Sequence, residues 1–275
     1  MKTKIILEMC ANHNGNINIA KSMIDEAARL KVYGVKFQKR DIDSIQENFV
    51  NPFLHRSDMF GNSWKEHCRA LEFDISEMAE LKEHAENQEL NFSCTAFDVK
   101  SIQELLGIGI NDIKLPSQLY LDKKCYLELS SSDNIFVSVS TGMHTFSQII
   151  NCAWFYDADI LYYCISKYPA KIKDLNFNTL KTILMLRKNV GYSSHEIEGC
   201  GIPYSVLLGV KRIERHYTLN KNSKGADHKI SSDYSEMLIL IETIKIIEDI
   251  LGDNEREIDE EEKKIAEVFK CLNLD

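Results

Sequence analysis

Residues 5–37 read IILEMCANHNGNINIAKSMIDEAARLKVYGVKF. Ile5 to Met9 is a short apolar run, Ile17, Ala20, Met23, Ile24 and Ala27 recur at helical spacing, and Val35 to Phe37 is a second short run. A strand-length run, a helical-period segment and another strand-length run spell one βα unit leading into the next. Outward from this stretch the pattern repeats. Helical period returns at Met78, Leu81 and His84, and further short runs fall at Leu90 to Cys94, Ile113 to Leu115, Ile135 to Val139, Ile160 to Cys164, Val190 to Tyr192 and around Ile213. Eight such units, with no G-x-G-x-x-G after the first run, predict an α/β fold of the closed (β/α)8 TIM barrel type rather than an open doubly wound sheet. Between the second and third runs, about Arg40 to Phe73 is rich in Asn, Asp, His and aromatics and reads as an irregular excursion over one mouth. The last barrel helix is placed at Ser235 to Leu251, stopped by Gly252-Asp253. Residues 1–252 are thus assigned to the barrel, and 253–275 to an acidic linker and an amphipathic C-terminal helix. The stripe of that helix, Ile265, Val268, Phe269 and Leu272, is expected to dock on the barrel or on another subunit.

A chain of 275 residues with 44% hydrophobic and 27% charged content can build a sizeable core, which excludes wholesale disorder. A net charge of −9 argues against nucleic acid or an anionic membrane as the main partner, so any bound anion must meet a local positive site. Only three apolar residues stand between Lys4 and Glu8, too few for a secretory signal core, and no later run reaches spanning length. The expected location is cytoplasmic. Eight cysteines occur without a C-x-x-C pair, so no zinc ribbon or thioredoxin motif is spelled, and they read as small buried hydrophobes without a catalytic role.

In a βα barrel the C-terminal strand ends face the active site. Here those ends are polar almost every time. Glu8 leads into Asn12-His13-Asn14-Gly15; Lys36 and Gln38 share one side of the second run; Ser93 and Thr95, Lys114 and Ser117, and Ser138, Ser140 and Thr141-Gly142 close the next three. Ser166 and Tyr168, Ser193 and His195, and Glu214 and His216 close the rest. A single Ser or Thr there is explained by solvent alone. Lys36 and Lys114, each inside an apolar run, must direct their ammonium groups to something polar, because an unpaired buried charge is too costly. Converging with a ring of hydroxyls, they would form a positive pocket for a phosphate-like anion. His195 and His216 end adjacent runs, and neighbouring strands about 4.8 Å apart can aim two imidazoles at one divalent ion. With water and substrate as the other ligands, that ion is a Lewis acid for a carbonyl. His13 is a further candidate by position, whereas His55, His67, His84 and His144 read as surface or packing residues. The Gly-containing loop from Asn222 to Asp227 is expected to fold over the same mouth.

Taken together, Glu8–Gly15, Val35–Gln38, Phe92–Asp98, Ile113–Ser117, Val139–Met143, Tyr168-Pro169, Gly191–His195, Glu214–Thr218 and Gly225–His228 resemble, in order and spacing, the sialic acid (N-acetylneuraminate) synthase family over roughly residues 4 to 250. The resemblance implies a transferase of carbohydrate biosynthesis that condenses phosphoenolpyruvate with an aldose such as N-acetylmannosamine. It implies that Thr95, Lys114, Ser117, Ser140, Ser166 and Ser193 hold phosphoenolpyruvate with Lys36 nearby, that His195 and His216 hold Mn2+ or Mg2+, and that Glu8, Gln38, Tyr168 and Asp227 contact or orient the sugar. It also implies a homodimer. Family members continue into a small antifreeze-like domain, which this chain is expected to lack or to obtain from a separate protein. Two other readings stay open: a Schiff-base lyase or aldolase using Lys36 or Lys114, and a non-catalytic partner subunit that keeps the anion pocket.

Overall fold

The computed structural model describes residues 2–47, 58–153, 157–187, 189–252 and 255–271. Eight parallel strands close into a barrel in sequence order: β1 (Lys4–Glu8), β2 (Gly34–Lys39), β3 (Asn91–Ala96), β4 (Asp112–Leu115), β5 (Phe136–Ser140), β6 (Ile160–Cys164), β7 (Val190–Ser194) and β8 (Arg212–His216). Every apolar run of the sequence became one of them. Between the strands lie α1 (Ile17–Arg29), α2 (Trp64–Leu71), α3 (Ile75–Glu86), α4 (Val99–Gly107), α5 (Lys123–Ser130), α6 (Phe146–Ala153), α7 (Phe177–Leu186) and α8 (Gly201–Leu207), with α9 (Tyr234–Leu251) and α10 (Glu260–Cys271) after β8.

Local chemistry sets the boundaries. Asn16 caps α1 by accepting from the Asn18 and Ile19 amides, and Asp74 with Glu77, and Asp233 with Glu236, form reciprocal capping boxes at α3 and α9. The α9 helix stops at Gly252, whose φ of 62° a side chain would strain. The buried face of α1 is Ala20, Met23, Ile24 and Ala27, the residues whose spacing predicted it.

Alternation along the strands separates two environments. Ile5, Leu7, Val35, Phe37, Cys94, Ile113, Leu115, Val139, Leu161 and Ile213 pack in the apolar layer beneath the helices. Residues of the opposite parity face the barrel axis and are largely polar. Arg212 on β8 pairs with Asp112 on β4, half the barrel away, so that ion pair crosses the interior. Asn91 donates to the same Asp112 carboxylate at 2.8 Å, and the Arg212 guanidinium lies 5.0 Å from the Phe136 ring centre and 5.4 Å from that of Tyr33. This plug sits at the N-terminal ends of the strands and leaves the other mouth for chemistry.

The stretch from Arg40 to Phe73 is not wholly irregular, as the sequence suggested. It contains α2, capped by Ser63 through the Glu66 amide, with His67, Cys68 and Leu71 buried. Eight residues carrying only three buried side chains left too short a periodic signal to read. His55 lies outside the described residues. The tail does form a helix, α10, but Ile265, Val268 and Phe269 are 49%, 60% and 68% exposed, so the barrel, one of the two docking surfaces expected for it, does not cover that stripe; Leu272 lies outside the described residues. No described helix is long and apolar enough to cross a membrane.

Candidate active site

The register brings the inward polar residues into contact. Glu8 stands beside Lys36 and His216, Gln38 beside Thr95, Thr95 beside Lys114, and Ser193 beside Glu214. At the centre is Glu214, a strand-end residue to which neither the spacing nor the family resemblance assigns a role. Lys114 Nζ donates to both of its oxygens at 2.7 Å, Lys36 Nζ lies 3.7 Å away, and the Ser193 hydroxyl donates to it at 2.9 Å. Lys36 also pairs with Glu8 and donates to Thr95 Oγ1 at 2.6 Å. The expected positive pocket is therefore corrected: two ammonium groups converge, and two carboxylates already balance them. Parity was the missed signal, since Glu214 shares the inward phase of His216.

Burial acts to raise the Glu214 carboxyl, but the Lys114 and Lys36 ammonium groups outweigh it and hold it below the usual carboxylate range. Burial brings Lys36 down to about 8, against the pull of Glu214 and assisted by the like charge of Lys114. Glu8, expected to contact or orient a sugar, is 1% exposed. One of its oxygens is held by Lys36 and the other accepts the Cys10 amide at 2.7 Å, so both are taken by the chain itself.

The same network continues to the histidines. The Ser193 hydroxyl stands 3.5 Å from His195 Nε2, while His195 Nδ1 donates to the Ile165 carbonyl at 2.8 Å. That bond fixes the tautomer and leaves Nε2 as the nitrogen with a free lone pair. Burial lowers His195 to about 4 and pushes His216 down strongly, so both rings are neutral near pH 7, the form that binds metals. Their centres are 5.5 Å apart, and the Tyr168 ring, 54% exposed at the mouth, lies 4.3 Å from His195. His216 Nδ1 is buried without a hydrogen-bond partner among the described residues, an orphan that a bound cation would satisfy.

Opposite β8, the Ser166 hydroxyl donates to Ser117 Oγ at 3.3 Å, and Ser117 Oγ lies 3.4 Å from Cys164 Sγ. A Cβ on Gly142 would come within 2.1 Å of Ser166 Oγ and 2.7 Å of Ser117 Oγ, so the glycine keeps open a cradle lined by hydroxyls. Ser140 is buried at the end of β5. The loop before α9 does return to the mouth: Cys10 Sγ donates to Asp227 Oδ2 at 2.8 Å, and His228 Nε2 lies 3.3 Å from Asn14 Oδ1. Gln38 Nε2 donates to Cys10 Sγ at 3.0 Å, and the Arg40 guanidinium donates to the Gln38 side-chain oxygen Oε1. The cysteines divide accordingly. Cys68, Cys94, Cys125 and Cys164 are buried as expected, but Cys10 is half-buried among ionisable groups at the mouth.

His13 does not join this site. Its ring stacks on Phe73 at 4.2 Å, and its Nδ1 accepts the Gly15 amide at 3.1 Å. Burial lowers it to about 3. Between pH 6.5 and that value the unfolded chain binds a proton that the folded chain refuses, so stability falls as pH drops through this window and is unaffected above it. From pH 7 to 5 the loss from this group is about 2 kcal/mol. Urea unfolding at pH 7 and pH 5 should show His13→Gln losing about that much less than the unsubstituted protein over the same interval. Equal losses in the two proteins would mean that His13 is protonated or solvated in the fold.

The sequence profile of the NeuB family matches residues 23–256. The N,N'-diacetyllegionaminic acid synthase of Legionella pneumophila is 30% identical over 279 residues, 97% of this chain and 78% of that protein. The N-acetylneuraminate-9-phosphate synthase of Drosophila melanogaster is 30% identical over 253 residues, 87% of this chain and 66% of that one. Among solved structures, the N-acetylneuraminic acid (sialic acid) synthetase of Leptospira borgpetersenii superposes with a TM-score of 0.85 at 28% identity, covering 100% of this chain and 94% of the other.

Proposed function

The chain belongs to the NeuB family, and from that premise we propose that it condenses phosphoenolpyruvate with an N-acetylated hexosamine, releasing phosphate and a 2-keto-3-deoxy sugar acid. One observation carries the reading. The Ser193 hydroxyl joins Glu214, which both lysines share, to His195, which faces His216, so the anion-binding residues and the imidazole pair form one continuous site.

Each part of the site has a task in that reaction. Ser117 and Ser166, around the Gly142 cradle, are the neutral donors for the phosphate, with Ser140 and Thr95 at neighbouring strand ends. Lys114, Lys36 and Ser193 hold the charged end of phosphoenolpyruvate. A phosphate and a carboxylate bring roughly three negative charges, while the two lysines are already matched by Glu8 and Glu214. Tight binding therefore calls for a further positive charge in the site. His195 and His216 would hold a divalent ion, Mn2+ or Mg2+, which would supply that charge and Lewis acidity toward the sugar aldehyde. Tyr168, exposed at the mouth, lines the acceptor side, and Gln38 and Asp227 border it. The enol carbon bonds to the aldehyde carbon as the enol and carbonyl π bonds open and the aldehyde oxygen takes up a proton; water adds at the neighbouring carbon and gives up a proton in exchange, and phosphate departs by C–O cleavage as the new hydroxyl collapses to the ketone.

A Schiff-base mechanism fits less well, because Lys114 is engaged in an ion pair through both Glu214 oxygens and Lys36 by Glu8, whereas a nucleophilic amine must be unpaired and neutral. The exposed Ile265, Val268 and Phe269 of α10 are assigned to contact with a second copy in a homodimer. The decisive experiment incubates the chain with phosphoenolpyruvate, Mn2+ and a panel of 2-acetamido sugars, following phosphate and the mass of any product. Phosphate is expected only when a suitable sugar is present. Release with no sugar in the panel would overturn the condensation, as would a borohydride-trapped adduct on Lys36 or Lys114.

A further inference from the structure

We propose that Cys10 is a thiolate ligand of the ion at this site and that Asp227 completes the set with His216, giving the centre a softer donor than the imidazole pair alone provides. The inference rests on the metal-dependent reading above and deepens it. Cys10 Sγ, a ring nitrogen of His216 and a carboxylate oxygen of Asp227 all lie within 4.8 Å of one another, close enough to converge on one cation. The three come from separate places in the chain: the turn after β1, the end of β8 and the loop before α9. A second observation points to a ligand. His216, only 4% exposed, keeps a buried Nδ1 that nothing in the described chain satisfies.

Burial and the Asp227 carboxylate push the Cys10 thiol well up, so the sulfur carries its proton until an ion displaces it, and one donor already faces it. Arg40 takes the carbonyl oxygen of the Gln38 amide, and this turns the amide N–H toward Cys10 Sγ at 3.0 Å, where it can donate to a negatively charged sulfur. Without an ion the thiol hydrogen goes to Asp227 Oδ2 at 2.8 Å; with one, sulfur and carboxylate oxygen turn to the metal and the thiol proton leaves to solvent. Cys10 also holds a φ of 45°, a conformation that glycine adopts without cost and a side chain does not, so the position carries a thiol despite its backbone. A sulfur donor beside imidazole and carboxylate shifts preference from Mg2+ toward Zn2+, Co2+ and Fe2+.

The test uses the full chain, stripped of metal with a chelator and titrated anaerobically with Co2+. A near-ultraviolet thiolate-to-cobalt charge-transfer band should appear at one equivalent and vanish in Cys10→Ser. Cys200→Ser, which alters the other half-buried cysteine among the described residues, should keep it. Affinity for Co2+ and Zn2+ should fall by at least about 10-fold in Cys10→Ser while that for Mg2+ moves little. Cys10→Gly, which relieves the backbone, repeats the experiment if the serine variant folds poorly. No band in the unsubstituted protein, or a band that survives both Cys10 variants, overturns the proposal. Phosphate release with Mn2+, measured on the same preparations, keeps the two readings apart. Turnover without a Cys10-dependent band removes only the thiolate, and a Cys10-dependent band without turnover on any sugar removes only the condensation.

Discussion

Glu214→Ala is expected to destabilise the barrel by about 3–5 kcal/mol, the cost of leaving a buried charge without its partner. Both lysines are affected. Lys114 Nζ loses two bonds of 2.7 Å, Lys36 loses a carboxylate 3.7 Å away, and the Ser193 hydroxyl loses its acceptor. Glu8 alone cannot balance two ammonium groups. The effect should be reversible by design: Glu214→Ala combined with Lys114→Met removes both members of the closest pair, and apolar replacement of a whole buried pair is often close to neutral. Most of the lost stability should then return, even though phosphoenolpyruvate binding would not. Urea unfolding of the two variants separates these cases. If the single variant lies within about 1 kcal/mol of the parent, the pair is no better than a solvated surface bridge, and the buried network described here is wrong.

How far the sequence carried the reading depends on the kind of signal. Strand positions were legible because a parallel barrel strand has its outward residues under helices, and runs such as Ile113 to Leu115 stand out from the polar segments around them. Lys36, Lys114, His195 and His216 were legible because a polar residue at the inward phase of such a run has only the axis or the mouth to face. Partnership was harder to see. Glu214 lies 100 residues from Lys114, and no spacing rule ties β4 to β8 until the barrel closes. Glu8 looked available for a sugar until its two oxygens were found on Lys36 and the Cys10 amide. Cys10 was set aside with the other cysteines because composition treats the residue as a small hydrophobe, and only the return of Asp227 to the mouth shows its surroundings. His13 failed in the opposite sense, for a place just past a strand end is shared by packing residues, and Phe73 arrives from a distant helix connection.

His195→Ala is expected to lower turnover by at least about 10³-fold, equivalent to about 4 kcal/mol of transition-state stabilisation, because the proposed reaction relies on both imidazoles to hold its Lewis acid. Geometry makes the substitution informative. The Ile165 carbonyl fixes the proton on His195 Nδ1, and the Ser193 hydroxyl gives its one proton to Glu214, so the Nε2 lone pair is left for a cation. Ser193→Ala, two residues away on the same strand face, is the control: it removes one neutral hydroxyl and is expected to cost about 1 kcal/mol, roughly 5–10-fold in rate. Mn2+ affinity, followed by its electron paramagnetic resonance signal, should fall by at least about 10-fold in His195→Ala and stay nearly constant in Ser193→Ala. A merely structural role for His195, as a shelf for Tyr168 at 4.3 Å, would move stability and leave Mn2+ affinity untouched. Unchanged turnover with unchanged Mn2+ binding would detach the imidazole pair from the chemistry and leave the polar centre of the barrel as an anion site without its Lewis acid.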